Sequence, residues 1–331
     1  MPPGGAQRRA LIFGVSGQDG SYLAKFLLSQ GYEVYGASRD AEITGFENLV
    51  ALGIRESVHV VSVNMTDFRS TLDAVLQFQP DEIYNLAGQS SVGLSFQQPI
   101  ETMASIVLGT LNLLEAVRFA GRPIRLYNAG SGESFGDVAG PANESTPFQP
   151  KSPYASAKAA AFWEVANYRD AYGMYACTGI LFNHESPLRP RRFVTRKIVS
   201  AACRIAAGEN ATLRLGNLDI RRDWGWAPEY VEAMWSMLQQ DEPDDFVIAT
   251  GGNHSLEEFV ATAFAHCGLD WRDHVEVDPS LFRPSELMEN SGDPGRAAAL
   301  LGWQARIRLP ALVPLLVDAE AASLNHPPAR A

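Results

Sequence analysis

A glycine-rich loop near the start of the chain constrains its fold more than any other feature. The apolar run 10–13 is followed at once by Gly14-Val-Ser-Gly17-Gln-Asp-Gly20, and a helical pattern opens at Ser21. Glycine is needed where the backbone takes a positive φ, and where a diphosphate must approach backbone N–H groups with no Cβ between. The helix start behind such a loop offers unpaired N–H donors and partial positive charge to an anion. A glycine triplet alone is a weak signal, because tight turns use glycine too. Between a strand and a helix it predicts a dinucleotide-binding loop, with Gly14, Gly17, Gln18, Asp19 and Gly20 at the cofactor.

The rest of the first half repeats that alternation. Short runs rich in Val, Ile, Leu and Tyr at 33–37, 58–63, 82–86 and 124–128 are separated by helical patterns at 21–30, 68–78 and 99–120. A long helical pattern at 154–172 then precedes a strand at 176–181. Continuous apolar strands are covered on both faces, and strand–helix alternation implies right-handed crossovers and a parallel sheet. The expected fold is α/β, a parallel sheet with helices on both faces plus a smaller mixed C-terminal substrate lobe. The dinucleotide-binding domain is expected over 9–182, with 221–250 returning to it, and the lobe over 183–220 and 251–325. There, Pro187, Pro190, Gly208, Gly216, Pro228, Gly251 and Gly252 punctuate shorter helices at 193–207, 229–239 and 255–267. Ligand contacts are therefore expected on loops. The ends, 1–8 and 326–331, are expected to be flexible.

Composition narrows the partners. The chain has 331 residues and a formal net charge of −11, which repels nucleic acid and anionic membranes at long range. Neither is an expected partner. No uninterrupted apolar run reaches the roughly 20 residues that span a bilayer, and no signal-peptide pattern follows the first residues. Cys177, Cys203 and Cys267 are an odd number without Cys-x-x-Cys spacing, which argues against a disulfide framework and a zinc site. No metal is expected, and the cytoplasm is the expected location. Against the acidic background, Arg189, Arg191, Arg192, Arg196 and Lys197 crowd one short stretch. It reads either as a solvated basic face or as a pocket for a doubly charged phosphate ligand.

Tyr154-Ala-Ser-Ala-Lys158 places a phenol and an ammonium on one face of a helix. A phenol with an ordinary pKa of about 10 is a poor base at neutral pH. A nearby cation favours the phenolate, which can then take a proton from a sugar hydroxyl as hydride leaves. Ser131 and Glu133 follow the fifth strand two residues apart, so in an extended backbone they point the same way. Ser131 can hydrogen-bond the reacting hydroxyl. Glu133 is surplus for a simple dehydrogenase and suits removal of a proton beside a ketone, or else caps a turn. At the end of the second strand, Ser38 and Arg39 favour the 2′-phosphate of NADP, while Asp40 keeps NAD open.

These motifs together resemble the extended short-chain dehydrogenase/reductase family, with its Rossmann-type fold. Longer strings resemble the GDP-mannose 4,6-dehydratases within it: Gly17-Gln-Asp-Gly-Ser-Tyr-Leu23, Leu181-Phe-Asn-His-Glu-Ser-Pro187, Phe193-Val-Thr-Arg-Lys-Ile198, Arg222-Asp-Trp-Gly225, Glu229-Tyr-Val-Glu-Ala-Met-Trp235 and Arg283-Pro-Ser-Glu286. The resemblance runs from about Arg9 to Leu316. It implies a redox-neutral reaction on a GDP-sugar. Tyr154 would accept the C4 hydroxyl proton as hydride passes to NADP, Glu133 would remove the C5 proton, water would leave C6, and hydride would return there. It further implies that Arg39, Asn64, Met65, Leu86, Ala87, Gln89, Ser90, Lys158, His184 and Arg189 contact the cofactor. Asn183, Thr195, Lys197, Asn217, Arg222, Arg283 and Glu286 would line the GDP-sugar pocket. A homodimer or homotetramer is implied, with 99–120 and 154–172 as contact faces.

Two departures bear on these expectations. Ser131-Gly132 stands where the family usually has Thr-Ser, and the family's paired-arginine stretch after the second strand is reduced to Arg39 followed by Asp40. Three other readings compete: a 4-keto reductase on the same fold, a dehydratase for another GDP-hexose or heptose, and a non-catalytic nucleotide-sensing scaffold. Without the resemblance, a satisfied core histidine is the minor alternative reading of His184, and Trp224, Trp226 and Trp235 read as core rather than as base-stacking groups.

Overall fold

The computed structural model describes residues 7–325. The expected flexible ends thus lie outside the described residues except at Gln7 and Arg8. Arg8 is tied down: its guanidinium donates to the Tyr32 hydroxyl at 3.2 Å and to Gln239 Oε1 at 2.7 Å.

Six strands alternate with helices along the first half: β1 (Arg9–Phe13), β2 (Glu33–Ser38), β3 (His59–Ser62), β4 (Glu82–Asn85), β5 (Arg125–Ala129) and β6 (Ala176–Leu181). With a seventh strand, Phe246–Ile248, they form one sheet in the order β3-β2-β1-β4-β5-β6-(246–248). Every pairing is parallel. The expected α/β class, with helices on both faces and a smaller mixed lobe, is the observed one. Strand order reverses between β1 and β4, and open sheets of this kind bind ligands beyond the C-terminal ends of the strands at that point. The glycine loop after β1 and residues 86–90 after β4 both lie there.

Period-two alternation in β1 supplies two cores. Ala10 and Ile12 pack on one face with Leu23, Leu27, Tyr230 and Met234. Leu11 and Phe13 pack on the other with Val75, Leu113, Val117 and Val165. The helical stretch Pro99–Ala120, with a π-helical turn at Ala104–Leu108, is long and apolar enough to cross a membrane by composition. Its Leu113, Leu114, Ala116 and Val117 are nevertheless buried against the sheet, which is how a core helix reads.

A third core holds the lobe together. Ile198, Val199, Phe259, Phe264, Leu312 and Val313 meet from the helices Val194–Ala206, Leu256–His266 and Leu309–Asn325, and Trp224 packs with them. The last helix was not apparent in the sequence because Pro314 lies inside it, a position that normally interrupts the pattern. Within the stretch 251–325, Ala297, Trp303 and Ala305 pack on the sheet side rather than in the lobe. The Trp303 indole N–H donates to the Glu229 carbonyl at 2.9 Å.

The seventh strand escaped the sequence reading because three residues carry too little pattern. Its partner holds it. The carboxylate of Asp245, just before the strand, accepts the Thr178 N–H of β6 at 2.6 Å and both ends of the Arg169 guanidinium at 3.1 and 2.7 Å. Removing one partner of a largely buried ion pair leaves the other charge uncompensated. Asp245→Ala is expected to cost about 3 kcal/mol or more, read as a lower urea midpoint. An unchanged midpoint would show that the strand edge holds without its anchor.

Candidate active site

The glycine loop is built by close approach. Gly14 has a φ of +85°, and a Cβ at Gly20 would sit 2.3 Å from the Gly14 carbonyl oxygen. No side chain caps the first turn of the helix Gln18–Ser29, so its N–H groups are left for an anion. The loop forms one wall of an open groove of about 1150 Å³. Gly14, Gly17, Gln18, Asp19, Gly20, Arg39, Asn64, Met65, Leu86, Ala87, Gln89, Ser90 and Arg189 all line it. A long groove with a glycine loop, a helix start and a cation fits the diphosphate of a dinucleotide.

A second cavity of about 430 Å³ adjoins it, sharing Asp19, residues 86–90, Arg189, Arg192 and Phe193. It brings together Ser131, Glu133, Tyr154, Lys158, Asn183, His184, Thr195, Lys197, Asn217, Arg222, Arg283 and Glu286. Seven Lys and Arg side chains line it against four Asp and Glu, in a chain whose formal net charge is −11. That local excess suits a ligand carrying phosphates.

The helix Pro153–Tyr172 presents Tyr154 and Lys158 from its first two turns. Ser152 starts it by accepting the Ala155 N–H at 3.1 Å, Pro153 occupies the first position, and Gly173 ends it at a φ of +64°. Lys158 Nζ donates to the Ala129 carbonyl at the end of β5 at 2.8 Å and lies 5.8 Å from the Tyr154 ring centre. Burial pushes the Tyr154 phenol up to about 12, with hydrogen bonding to Ser131 opposing it. Burial also brings the Lys158 ammonium down to about 8, with Asp19 opposing.

Ser131 and Glu133 are not held as two positions of an extended strand, as alternation suggested. Ser131 is extended, but it starts a short 3₁₀ turn, Gly132–Phe135, and its hydroxyl accepts the Glu133 N–H at 3.3 Å. The turn, not strand geometry, brings both into the cavity. Burial raises the Glu133 carboxyl above its ordinary range, and Arg222 and Arg283 oppose the shift. A carboxylate raised this way is a better proton acceptor.

At the cationic end, Arg222 is buried and its guanidinium lies 3.2 Å from Glu286 Oε1, which Arg283 also meets at 3.3 Å. The basic stretch divides. Arg189 and Arg192 reach both cavities and Lys197 the second one, whereas Arg196 turns to the buried Glu320 at 2.5 Å, with Arg191 at 3.9 Å. Neither alternative for that stretch describes all of it.

His184 has both ring nitrogens engaged. Nδ1 lies 2.7 Å from the Phe182 carbonyl oxygen and Nε2 lies 2.9 Å from Asp19 Oδ2. It is buried beneath Tyr230, yet still lines the cavity. Burial would lower its pKa, but Asp19 outweighs that and raises it. Glu185 was missed by residue-level reasoning. It accepts the Thr195 hydroxyl at 2.6 Å and pairs with Arg189 at 3.4 Å. Its only signal was its place beside His184 in the 181–187 string.

Comparison with known proteins agrees with this architecture. The family model described as GDP-mannose 4,6 dehydratase matches residues 11–315. GDP-mannose 4,6 dehydratase 2 of Arabidopsis thaliana is 47% identical over 319 residues, covering 93% of this chain and 86% of that protein. Among solved structures, a UDP-glucose 4-epimerase of Thermus thermophilus in complex with NAD superposes with a TM-score of 0.83 at 28% identity, covering 94% of this chain and 98% of its own. The RMD protein of Pseudomonas aeruginosa complexed with NADPH superposes with a TM-score of 0.79 at 22% identity, over 96% of this chain and 99% of its own, and so shares the fold. A nicotinamide cofactor and a nucleotide-sugar substrate follow for the class. With a family match spanning nearly all of its length and a relative at 47% identity, the chain belongs to the GDP-mannose 4,6-dehydratase family.

Proposed function

We propose that this protein converts GDP-D-mannose to GDP-4-keto-6-deoxy-D-mannose with NADP recycled, and that Tyr154, Lys158, Ser131 and Glu133 carry the chemistry. The observation that carries the reading is Glu133, a buried carboxylate lining one cavity with Tyr154, Lys158 and the arginines Arg222 and Arg283. A 4-keto reductase needs the phenol and the lysine but has no use for that carboxylate.

A nicotinamide dinucleotide held along the glycine loop Gly14–Gly20 would supply the hydride acceptor for C4 and the donor for C6. Tyr154 would accept the C4 hydroxyl proton, with Ser131 hydrogen-bonding the same oxygen; burial opposes the phenolate, and the Lys158 ammonium together with the positive charge of an oxidised nicotinamide would favour it. The C4 ketone acidifies C5–H, Glu133 takes that proton and passes it to the C6 oxygen, which leaves as water; once C6 has been reduced, the proton that Tyr154 took from the C4 hydroxyl is returned to C5. Arg222, Arg283 and Lys197 hold the diphosphate, Arg by its planar fork. Asn183, Thr195, Asn217 and Glu286 complete the GDP-sugar site. Asn64, Met65, residues 86–90, His184 and Arg189 would hold the cofactor, and Ser38 and Arg39 would meet a 2′-phosphate if it carries one. A cytoplasmic location fits three unpaired cysteines.

A homodimer or homotetramer belongs to this reading. Ile100 and Trp163 are 84% and 62% exposed, and Pro99, Ile100, Met103, Val107 and Leu108 line an apolar surface groove. An exposed apolar groove of this kind suits a contact between subunits.

Incubation with GDP-mannose is expected to yield a product lighter by one water with no net consumption of nicotinamide. No turnover of GDP-mannose, with stoichiometric loss of NAD(P)H once a GDP-4-keto-6-deoxyhexose is supplied, would instead make the protein a reductase. Glu133→Gln should lower dehydration by about 10²-fold or more while cofactor affinity holds; dehydration at the parent rate would remove Glu133 as the base. The Lys158 ammonium is charged below about 8 and neutral above it, so the initial rate should fall as pH rises through that value, and a flat profile would show its charge is not needed. Sedimentation of Ile100→Glu combined with Met103→Glu should give monomers from an oligomeric parent; a monomeric parent would end the oligomer proposal.

A further inference from the structure

The end of the cofactor groove beside β2 is not simply cationic. Arg39 directly follows β2, where sheets of this kind meet the adenosine ribose of a dinucleotide. Its guanidinium lies 3.7 Å from Glu101 Oε1, with the two side chains 85% and 52% exposed. Glu101 belongs to the helix Pro99–Met103, and it lines the groove together with Ser38, Arg39 and Asp40. Asp40 is partly committed, since its Oδ1 accepts the N–H groups of Glu42 at 3.0 Å and Ile43 at 3.1 Å. One cation and two carboxylates therefore line this end.

We propose that Glu101 is a cofactor-specificity residue: by engaging Arg39 and adding its own negative charge, it reduces the advantage of a 2′-phosphorylated ribose over a free 2′,3′-diol. The proposal rests on the reading that this groove holds a nicotinamide dinucleotide. An exposed ion pair is worth little, so a 2′-phosphate can displace Glu101 from the Arg39 fork, which matches phosphate well. The displaced carboxylate still remains near the doubly charged phosphate and repels it. A ribose diol meets no such penalty, because a carboxylate oxygen can accept its hydroxyls. Glu101 thus narrows the gap between NADP and NAD without touching the reacting end of the groove.

Isothermal titration calorimetry of the full chain with NAD and NADP separately tests this without any turnover. Glu101→Gln should raise the NADP affinity relative to that for NAD by about three- to tenfold at low salt, the size of one removed charge near a dianion in a water-like dielectric. The gain should shrink at high salt, where exposed charges are screened. Glu101→Lys should move the ratio further in the same direction, and Arg39→Ala should move it the opposite way. If the parent binds both dinucleotides and neither Glu101 variant changes their ratio, Glu101 has no part in selection. If the parent binds neither, the cofactor reading itself fails.

Discussion

Asp19 and His184 meet at 2.9 Å where the glycine loop touches the strand Asn183–Glu185, and the two halves of the site depend on that contact. Burial alone would raise the Asp19 carboxyl, but the His184 charge and hydrogen bond, helped by the Gln18 amide, carry it down to about 2. His184 moves the opposite way for the reciprocal reason. Neighbouring hydrogen bonds close the joint. Gln18 Nε2 donates to Asp19 Oδ1 at 2.9 Å and to the His184 carbonyl at 3.2 Å, and the Ser186 hydroxyl donates to Gln18 Oε1 at 2.7 Å. A buried network of this kind specifies one arrangement because any member left unpaired is costly.

From that joint the geometry propagates outward. Glu185, the next residue, holds the Thr195 hydroxyl and the Arg189 guanidinium. Through them it sets the start of the helix Val194–Ala206, which carries Lys197. At the other end of the joint lies the glycine loop. The groove and the second cavity therefore share a wall rather than merely adjoining. Hydride transfer needs the sugar carbon in contact with the nicotinamide ring, and positioning of that kind is a large part of catalysis. A histidine with both nitrogens satisfied is a core histidine by bonding, and a site residue by position.

The six regular strands and the long helices were readable because each carries a full period of apolar residues or a clear cap. The helix 68–78 was placed without error, bounded by an Asp67 cap and by Gln79 at a φ of +47°. What failed was short or nonlocal. The strand Phe246–Ile248 exists because Asp245 reaches β6, and nothing within three residues announces that. The basic stretch could not be divided by sequence, because the partner that draws Arg196 away is Glu320, on a distant helix that Pro314 disguises. The four catalytic candidates came from local spacing, Tyr154 with Lys158 on one helix and Ser131 with Glu133 after the fifth strand, and that spacing could not say that Ser131 and Glu133 share a turn instead of a strand.

The substitution of Ser131-Gly132 for the usual Thr-Ser has a physical counterpart in that turn. A Cβ at Gly132 would lie 2.8 Å from the ring of Phe182, closer than packed atoms come. Phe182 cannot simply retreat: it stacks on Phe135 at 6.2 Å, and a Cβ at Gly292 on its other edge would lie 2.6 Å away. A turn bearing serine at 132 must therefore stand farther from Phe182 than this one does. Ser131 meanwhile lacks a methyl that would restrict its rotamer, but its hydroxyl is oriented by the Glu133 N–H it accepts. The hydroxyl and the carboxylate are thus positioned by backbone and by an aromatic wall, and the missing side chain at Gly132 is what lets the turn approach that wall.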